Sequence, residues 1–391
     1  MIPYGRQDIS KKDIDNVVKV LKSDFITQGP VVSQFEASLA KYVSAKHCIV
    51  SNSATSALHA ACHSLDIGKG DIVWAPAISF VATSNAALYC GSKIEFLDID
   101  PDTFNICTFE LAEKLKVASK KNKLPKLIIA VHLCGQSAEM KKIYTLKKQY
   151  GFKIIEDASH AIGATFNGHR VGSCKYSDLT VFSFHPVKII TTGEGGAVLT
   201  NDAKLASKVR RFISHGVTKN KKDFKLPSHG PWYYEQQSLG YNYRMNDIQA
   251  ALGISQLKKI DSFVKKRNII AERYNKSLKG LPLDLPMVSK NSASSYHLYV
   301  IRLKSAEAEL RNKLFSYLLD KGINVNIHYI PIYKQPFYSD NHVSKKFFLK
   351  NCENYYSRAI SIPIYPSLTI NEQKYVIKSI KDGLILLSSS L

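Results

Sequence analysis

The sequence is short of acid. Its 391 residues carry 32 aspartates and glutamates against 54 lysines and arginines, a formal net charge of +22. Such an excess draws anions (nucleic acid, a membrane face, a phosphorylated small molecule) but says nothing of fold. The lysines lie in short groups ("SKKD", "SKKNK", "KNKKDFK"), with no helix-turn-helix, zinc-finger or RNA-binding motif beside them. The charge is therefore read mainly as a solvating surface, and next as attraction for a small anionic substrate. Long apolar runs are missing too. "LIIAVHL" and "GLILL" are too short to span a bilayer, and "MIPYGRQDISKKD" lacks the apolar centre of a secretory signal. A cytoplasmic protein with no membrane or nucleic-acid partner is expected. The seven cysteines are scattered without a C-x-x-C pair, which reads as reduced thiols, not a disulfide framework. There is no G-x-G-x-x-G and no G-x-x-x-x-G-K-[ST], so nicotinamide and ATP lack their phosphate loops. His59 and His63 are four apart on a helical pattern, but no Glu or Cys completes a site and there is no H-E-x-x-H. They are read as packed or surface histidines, and no metal is expected.

What is present is alternation. From about residue 47 to 200, short β-branched runs ("HCIVSN", "DIVWAP", "KIEFLDID", "KLIIAVHL", "FKIIEDA") take turns with helical patterns ("ATSALHAACHSL", "TFELAEKLKVASKK", "EMKKIYTLKKQYG"). This predicts an α/β fold with a parallel or mixed sheet buried between helices. "FNGHRVG" reads as a tight turn between short strands, and "DLTVFSF" and "GGAVLTN" as two further strands. Residues 214–246 are polar, aromatic and punctuated by Gly and Pro, which marks a functional loop. Helices are expected at about 247–258 and 261–280, then a linker, "GLPLDLPMVSKNSASS". Beyond it "YHLYVIRL", "SAEAELRNKLFSYLLDKG" and "INVNIHY" read as strand, helix and strand of a smaller α+β domain. The expected division is an arm (1–10), a large domain (11–280) and a small domain (281–391).

The chemistry centres on "SFHPVKIITTGEGGAVLTN", where Lys188 sits between a proline and a run of threonines and glycines. A held, partly desolvated lysine forms Schiff bases with carbonyls, and pyridoxal phosphate is the commonest cofactor held that way. That cofactor needs a carboxylate for its ring nitrogen, N–H and hydroxyl donors for its phosphate, and a flat apolar neighbour. Asp157 ends the apolar run of "IIEDASHAIGA", where ligands sit in α/β sheets. Ser53, Ala54, Thr55 and Ser56 of "SNSATSAL" stand at a strand-to-helix turn suited to a phosphate. Phe80 in "APAISFVATS" is placed to stack on a ring, and Ser183 to reach the phosphate from the strand before the lysine loop. An Asp after a strand is often only a helix cap, and each motif alone has such a plain reading; their occurrence in this order does not.

These segments, with "GYNYRMNDIQAALG" and the opening "IPYGRQDI…VLKSDFITQGP", resemble the DegT/DnrJ/EryC1/StrS sugar aminotransferase family over nearly the whole chain. The resemblance implies fold type I of the pyridoxal phosphate enzymes, with a mostly parallel, seven-stranded sheet in the large domain. It implies Lys188 as the Schiff-base lysine, Asp157 as partner of the pyridine nitrogen and His160 near the cofactor's hydroxyl. It also implies a homodimer with shared active sites, in which Asn242 reaches the phosphate of the neighbouring subunit. Tyr4, Thr27 and His328 resemble substrate contacts; His185, in the "HP" that shapes the lysine loop, is grouped with them. Within the family the resemblance is nearest to the branch of pseudaminic acid biosynthesis. There the amino group of L-glutamate passes to the 4-keto carbon of a UDP-linked 4-keto-6-deoxy-N-acetylhexosamine. A relative acting at a 3-keto carbon or on a dTDP-sugar is the alternative within the family, and a non-catalytic nucleic-acid-binding regulator on the same fold the alternative outside it. A dehydrating branch has histidine in place of the lysine, and Lys188 argues against it.

Overall fold

Seven short runs of β-branched and aliphatic residues form one sheet in the computed structural model, which describes residues 1–305, 307–340 and 348–388. In chain order they are β1 (His47–Ser51), β2 (Ile72–Pro76), β3 (Lys93–Leu97), β4 (Leu127–Val131), β5 (Lys153–Asp157), β6 (Leu179–Ser183) and β7 (Gly196–Thr200). Their spatial order is β1-β7-β6-β5-β4-β2-β3. β3, β2, β4, β5 and β6 are parallel, while β7 runs antiparallel to both β6 and β1. This is the expected α/β fold with a mostly parallel sheet, and it places the carboxyl ends of β1, β2, β4, β5 and β6 along one edge.

Both faces of the sheet are covered, which is why its strands are nearly continuous in apolar residues. Along β4, Leu127, Ile129 and Val131 pack into one core, while Ile128 and Ala130 pack into another on the opposite face. The first core takes in Leu58 and Ala61 of the helix Ala54–Ser64 and Val209 of Ala203–Phe212. At the other end of the sheet Phe182 and Leu199 meet Phe35 and Leu39 of the helix Pro30–Val43. A separate three-stranded antiparallel sheet centres on Tyr299–Leu303, flanked by Leu283–Asp284 and Ala359–Ile362, with its own core around Tyr274, Leu314 and Ile380.

Two expectations fail in this later part. "INVNIHY" forms no continuous strand; it makes only isolated bridges, Ile2↔Ile323 and Asn326↔Ser361. Its backbone is divided between the amino-terminal segment, through Asn324 N–H to Ile2 O (2.8 Å), Ser361, whose N–H donates to Asn326 O (2.7 Å), and local bonds such as Ile327 N–H to Asn326 Oδ1 (2.8 Å). The stretch read as a linker contributes two short strands, Leu283–Asp284 and Ser292–Ala293, the latter pairing with Thr165–Phe166. The 214–246 loop is largely irregular, joined by one short pair, Val217–Thr218 with Glu235–Gln236. The Glu235 carboxylate fastens it by accepting the N–H groups of Lys225 (2.8 Å) and Leu226 (2.8 Å) and the Tyr233 hydroxyl (3.0 Å).

The helix Pro30–Val43 begins without a side-chain cap of its own. Asp247, fully buried at the start of the helix Asp247–Leu257, supplies it. Its carboxylate accepts Gly29 N–H (2.8 Å), Val31 N–H (2.9 Å) and Val32 N–H (3.3 Å). Asp247→Ala strands these donors in a closed site, so a loss of roughly 1–3 kcal/mol is expected. Urea unfolding checks it: a midpoint equal to that of the parent protein would refute the role.

Candidate active site

The lysine loop is the connection of a hairpin. β6 and β7 are neighbours, and Ser183 pairs with Gly196 across them, so residues 184–195 are tied to the sheet edge at both ends. Within the loop Lys188 N–H bonds His185 O (2.9 Å), Thr192 N–H bonds Phe184 O (3.0 Å), and the Thr191 hydroxyl donates to Phe184 O (2.9 Å). Gly193 takes a φ of +82°, which its lack of a Cβ allows. Gly196 answers a different need: a Cβ there would lie 2.4 Å from Ser53 O. Glycine lets the start of the helix Ala54–Ser64 press against the hairpin.

That helix start is an anion cradle by construction. Ser53 caps it, its hydroxyl accepting Ser56 N–H (3.1 Å). The N–H groups of Ala54 and Thr55 lie in the first turn, where no intrahelical acceptor exists. Ser56 is consumed by the cap, its hydroxyl donating to Asn52 Oδ1 (2.7 Å).

Across the edge, Asp157 ends β5 and is buried. Its Oδ2 accepts the Thr83 hydroxyl (2.6 Å) and its Oδ1 the Ser159 hydroxyl (2.6 Å). Ser79 joins the set through Thr83 (2.7 Å). The carboxylate is thus oriented from two sides, and among the described residues no cationic partner lies at hydrogen-bond distance.

These pieces line one cavity of about 550 Å³. Of the residues singled out from sequence, Tyr4, Ser53, Ala54, Thr55, Phe80, Asp157, His160, Ser183, His185, Lys188 and His328 are in its wall. Phe80 is 58% exposed, so a flat ring face stays uncovered, although its side chain sits 6.1 Å from the Tyr329 ring. Ser56 is not in the wall, for the capping reason above. Thr27 and Asn242 are exposed and outside it; Asn242 makes an isolated bridge to Ser214. His59 and His63 belong to an aromatic cluster instead, His59 Nδ1 lying 3.2 Å from the Tyr243 hydroxyl and His63 stacking on Phe212 at 4.0 Å. Among the described residues no group of three side chains is arranged to hold a metal ion, and no helix is long and apolar enough to cross a membrane.

Sequence reasoning missed Thr83, His297, Asn326 and Tyr329, which also face the cavity. Thr83 lies one helical turn from Phe80 and Tyr329 beside His328, so both stood within quoted segments. His297 gave no signal beyond being the polar residue at the start of an apolar strand.

The electrostatics suit a nucleophile. Burial pulls the Lys188 amine down to about 8, with Asp157 pulling weakly the other way. Burial and then Lys188 hold His328 down at about 3, and burial with Lys188 and His328 keeps His160 well below the usual imidazole range. The neighbouring rings are therefore neutral when the amine is.

Residues 7–381 match the DegT/DnrJ/EryC1/StrS aminotransferase family. The chain belongs to that family. It is 40% identical over 378 residues to the UDP-4-amino-4,6-dideoxy-N-acetyl-beta-L-altrosamine transaminase of Campylobacter jejuni strain 81-176, covering 96% of each chain. It is 36% identical over 384 residues to the spore coat polysaccharide biosynthesis protein SpsC of Bacillus subtilis, covering 97% of this chain and 96% of that one. Among solved structures, Helicobacter pylori PseC, an aminotransferase of pseudaminic acid biosynthesis, superimposes with a TM-score of 0.90 at 32% identity, over 98% of this chain and 99% of that one. The PLP-form of the putative sugar aminotransferase Spr1654 from Streptococcus pneumoniae gives 0.88 at 27% identity, over 99% of each. Membership carries the reaction class, transfer of an amino group, and the fold type expected from the sequence is the one these neighbours share.

An amine with a folded value near 8 becomes an unprotonated nucleophile as pH rises through that point. Reductive trapping of an aldehyde at Lys188, located by peptide mapping, should therefore show a midpoint of about 8. A midpoint at the ordinary lysine value of about 10.4 would mean that the site does not desolvate it.

Proposed function

We propose that the protein is a pyridoxal-phosphate-dependent aminotransferase that moves the amino group of L-glutamate to the 4-keto carbon of a UDP-linked 4-keto-6-deoxy-N-acetylhexosamine. The observation that carries this reading is the convergence, in one cavity, of a desolvated lysine, a doubly oriented buried carboxylate and a glycine-backed helix start. The donor set fits the cofactor. Ala54 and Thr55 N–H groups with the Ser53, Thr55 and Ser183 hydroxyls meet a phosphate, Phe80 offers a ring face, and Asp157 a carboxylate for a protonated ring nitrogen. His160 Nδ1 is enclosed without a partner, which suits a ring that works against a bound group. Bound there, pyridoxal phosphate supplies a carbonyl that carries the amino group and a ring that accepts electrons.

This chain's residues do the rest. Lys188 would hold the cofactor through its amine and, with that amine free, would accept and return a proton at Nζ beside the donor's α carbon. A value near 8 lets Nζ both accept and release that proton near neutrality. Asp157 holds the proton on the ring nitrogen, and Thr83 and Ser159 hold Asp157. The small-sheet side of the wall, with Tyr4, Asn326 and His328, faces the sugar together with His185; Thr27 lies exposed outside this chain's cavity. The name of the Campylobacter jejuni relative supports this choice of sugar, and the excess of positive charge suits a diphosphate. We also take the working unit to be a homodimer in which Asn242, exposed and outside its own chain's cavity, completes the partner's phosphate site.

Three outcomes test this. The protein with pyridoxal phosphate should absorb in the violet, lose that band on adding L-glutamate, and regain it with the UDP-4-keto-sugar; indifference to every member of a UDP- and dTDP-keto-sugar panel would sink the substrate assignment. Asp157→Asn, which keeps the shape and removes the charge, should lower turnover on the order of 10²–10³-fold. Mixing Lys188→Ala with Asn242→Ala subunits should restore turnover above that of either homodimer, because a mixed dimer carries one intact site. No restoration in a verified mixed dimer would argue against shared sites.

A further inference from the structure

Costly features gather around one residue that the proposed reaction leaves without a part. The segment 294–298 leads into the strand Tyr299–Leu303. Behind it lies Arg267, fully buried. Its Nη1 donates to Tyr296 O (3.1 Å), His297 O (3.2 Å) and Ile364 O (2.9 Å). Its Nε and Nη2 are enclosed without partners, and burial pulls the guanidinium down to about 9. Among the described residues no carboxylate pairs with it. Tyr296 takes a φ of +46°, unfavourable for a bulky side chain. In front, Gly135 approaches so closely that a Cβ would lie 2.6 Å from Ser295 Oγ and 2.9 Å from His297 N. Within this frame His297 is buried at 4% exposure, with Nδ1 enclosed and unpartnered. A buried unpaired cation, a strained backbone and an orphaned imidazole nitrogen each cost stability. Their joint effect is to present one imidazole to the cavity.

That imidazole meets His160, with ring centroids 4.3 Å apart and planes at 48°. Among the described residues the His160 ring has one hydrogen-bond partner, the Tyr329 hydroxyl at 3.1 Å from Nε2. One bond leaves a ring free to rock about it; a second ring against its face removes that freedom.

We propose that His297 is a positioning residue that, together with the Tyr329 hydroxyl, fixes the plane and tautomer of His160, and that Arg267 holds His297 in place through its carbonyl. This rests on reading the cavity as a cofactor site in which His160 meets the bound ring. The charged and titratable groups facing the pair are Lys188 and His328 on both rings, Arg267 on His297, and the Tyr329 hydroxyl on His160; Asp157 lines the same cavity.

The test is the visible spectrum of the protein loaded with pyridoxal phosphate, titrated with pH. The variants are His160→Asn, His297→Phe, His297→Gln and the double variant His160→Asn/His297→Phe. Each His297 variant should keep the cofactor but move the midpoint of the band by about one pH unit, a tenfold change in that equilibrium. The double variant should shift no further than His160→Asn alone, since one residue acts through the other. Folded His297 variants with the parent midpoint, or shifts that add, would overturn the proposal and leave His297 a packing residue. His297→Gln serves if the phenylalanine variant does not fold. If the parent protein takes up no cofactor, the functional reading falls instead. The positioning is then read on the cofactor-free protein from the ring-nitrogen NMR shifts of His160, which His297→Phe should move and which would stay put if His297 only packs.

Discussion

The site depends on keeping one amine out of water without giving it a full counter-ion. Exposed to solvent, Lys188 would stay protonated and inert; paired closely with a carboxylate, it would be held as a cation. The structure takes the middle course. Burial lowers the amine to about 8, while both oxygens of Asp157 are turned toward hydroxyls. Everything else follows from meeting both demands at one place. The parallel strands bring their carboxyl ends to a common edge, the antiparallel β7 closes the lysine loop against that edge, and Gly196 lets the helix at Ser53 come close enough to add its free N–H groups.

The part of this that was legible in the sequence is the part that local chemistry dictates. Buried strands must be nearly continuous in apolar residues, so β1 to β7 stood out. Groups that work at the end of a strand must follow it directly, so Asp157, Ser53 and Lys188 lay where the runs stopped. The two misreadings have a common cause. "INVNIHY" has the composition of a strand, but its backbone is shared between the amino-terminal segment, Ser361 and a local side-chain bond, and no local pattern records that division. The supposed linker is likewise recruited into pairs, by Leu303 beyond the linker and by Thr165–Phe166 far back in the chain. His297 was invisible for the same reason: what singles it out is Arg267 behind it and His160 in front, both distant in sequence.

Opposite strategies are used for the two kinds of buried charge. Asp157 and Asp247 are each surrounded by donors, hydroxyls in one case and backbone N–H groups in the other, so burying them is offset at once. Arg267 is left only partly satisfied, with two nitrogens enclosed and unpartnered. The contrast separates groups whose own charge is used from one whose geometry is used.

The cap at Asp247 sets an order of events on the ribosome. The helix Pro30–Val43 lacks a side-chain cap of its own and takes one from a residue made more than two hundred positions later. β1, which follows that helix, stands at the edge of the sheet with β7 as its neighbour among the described residues. The first fifty residues therefore emerge well before either stabilising partner has been synthesised. During synthesis the middle strands β2 to β5 can pair before the amino-terminal layer acquires its cap and its neighbour β7.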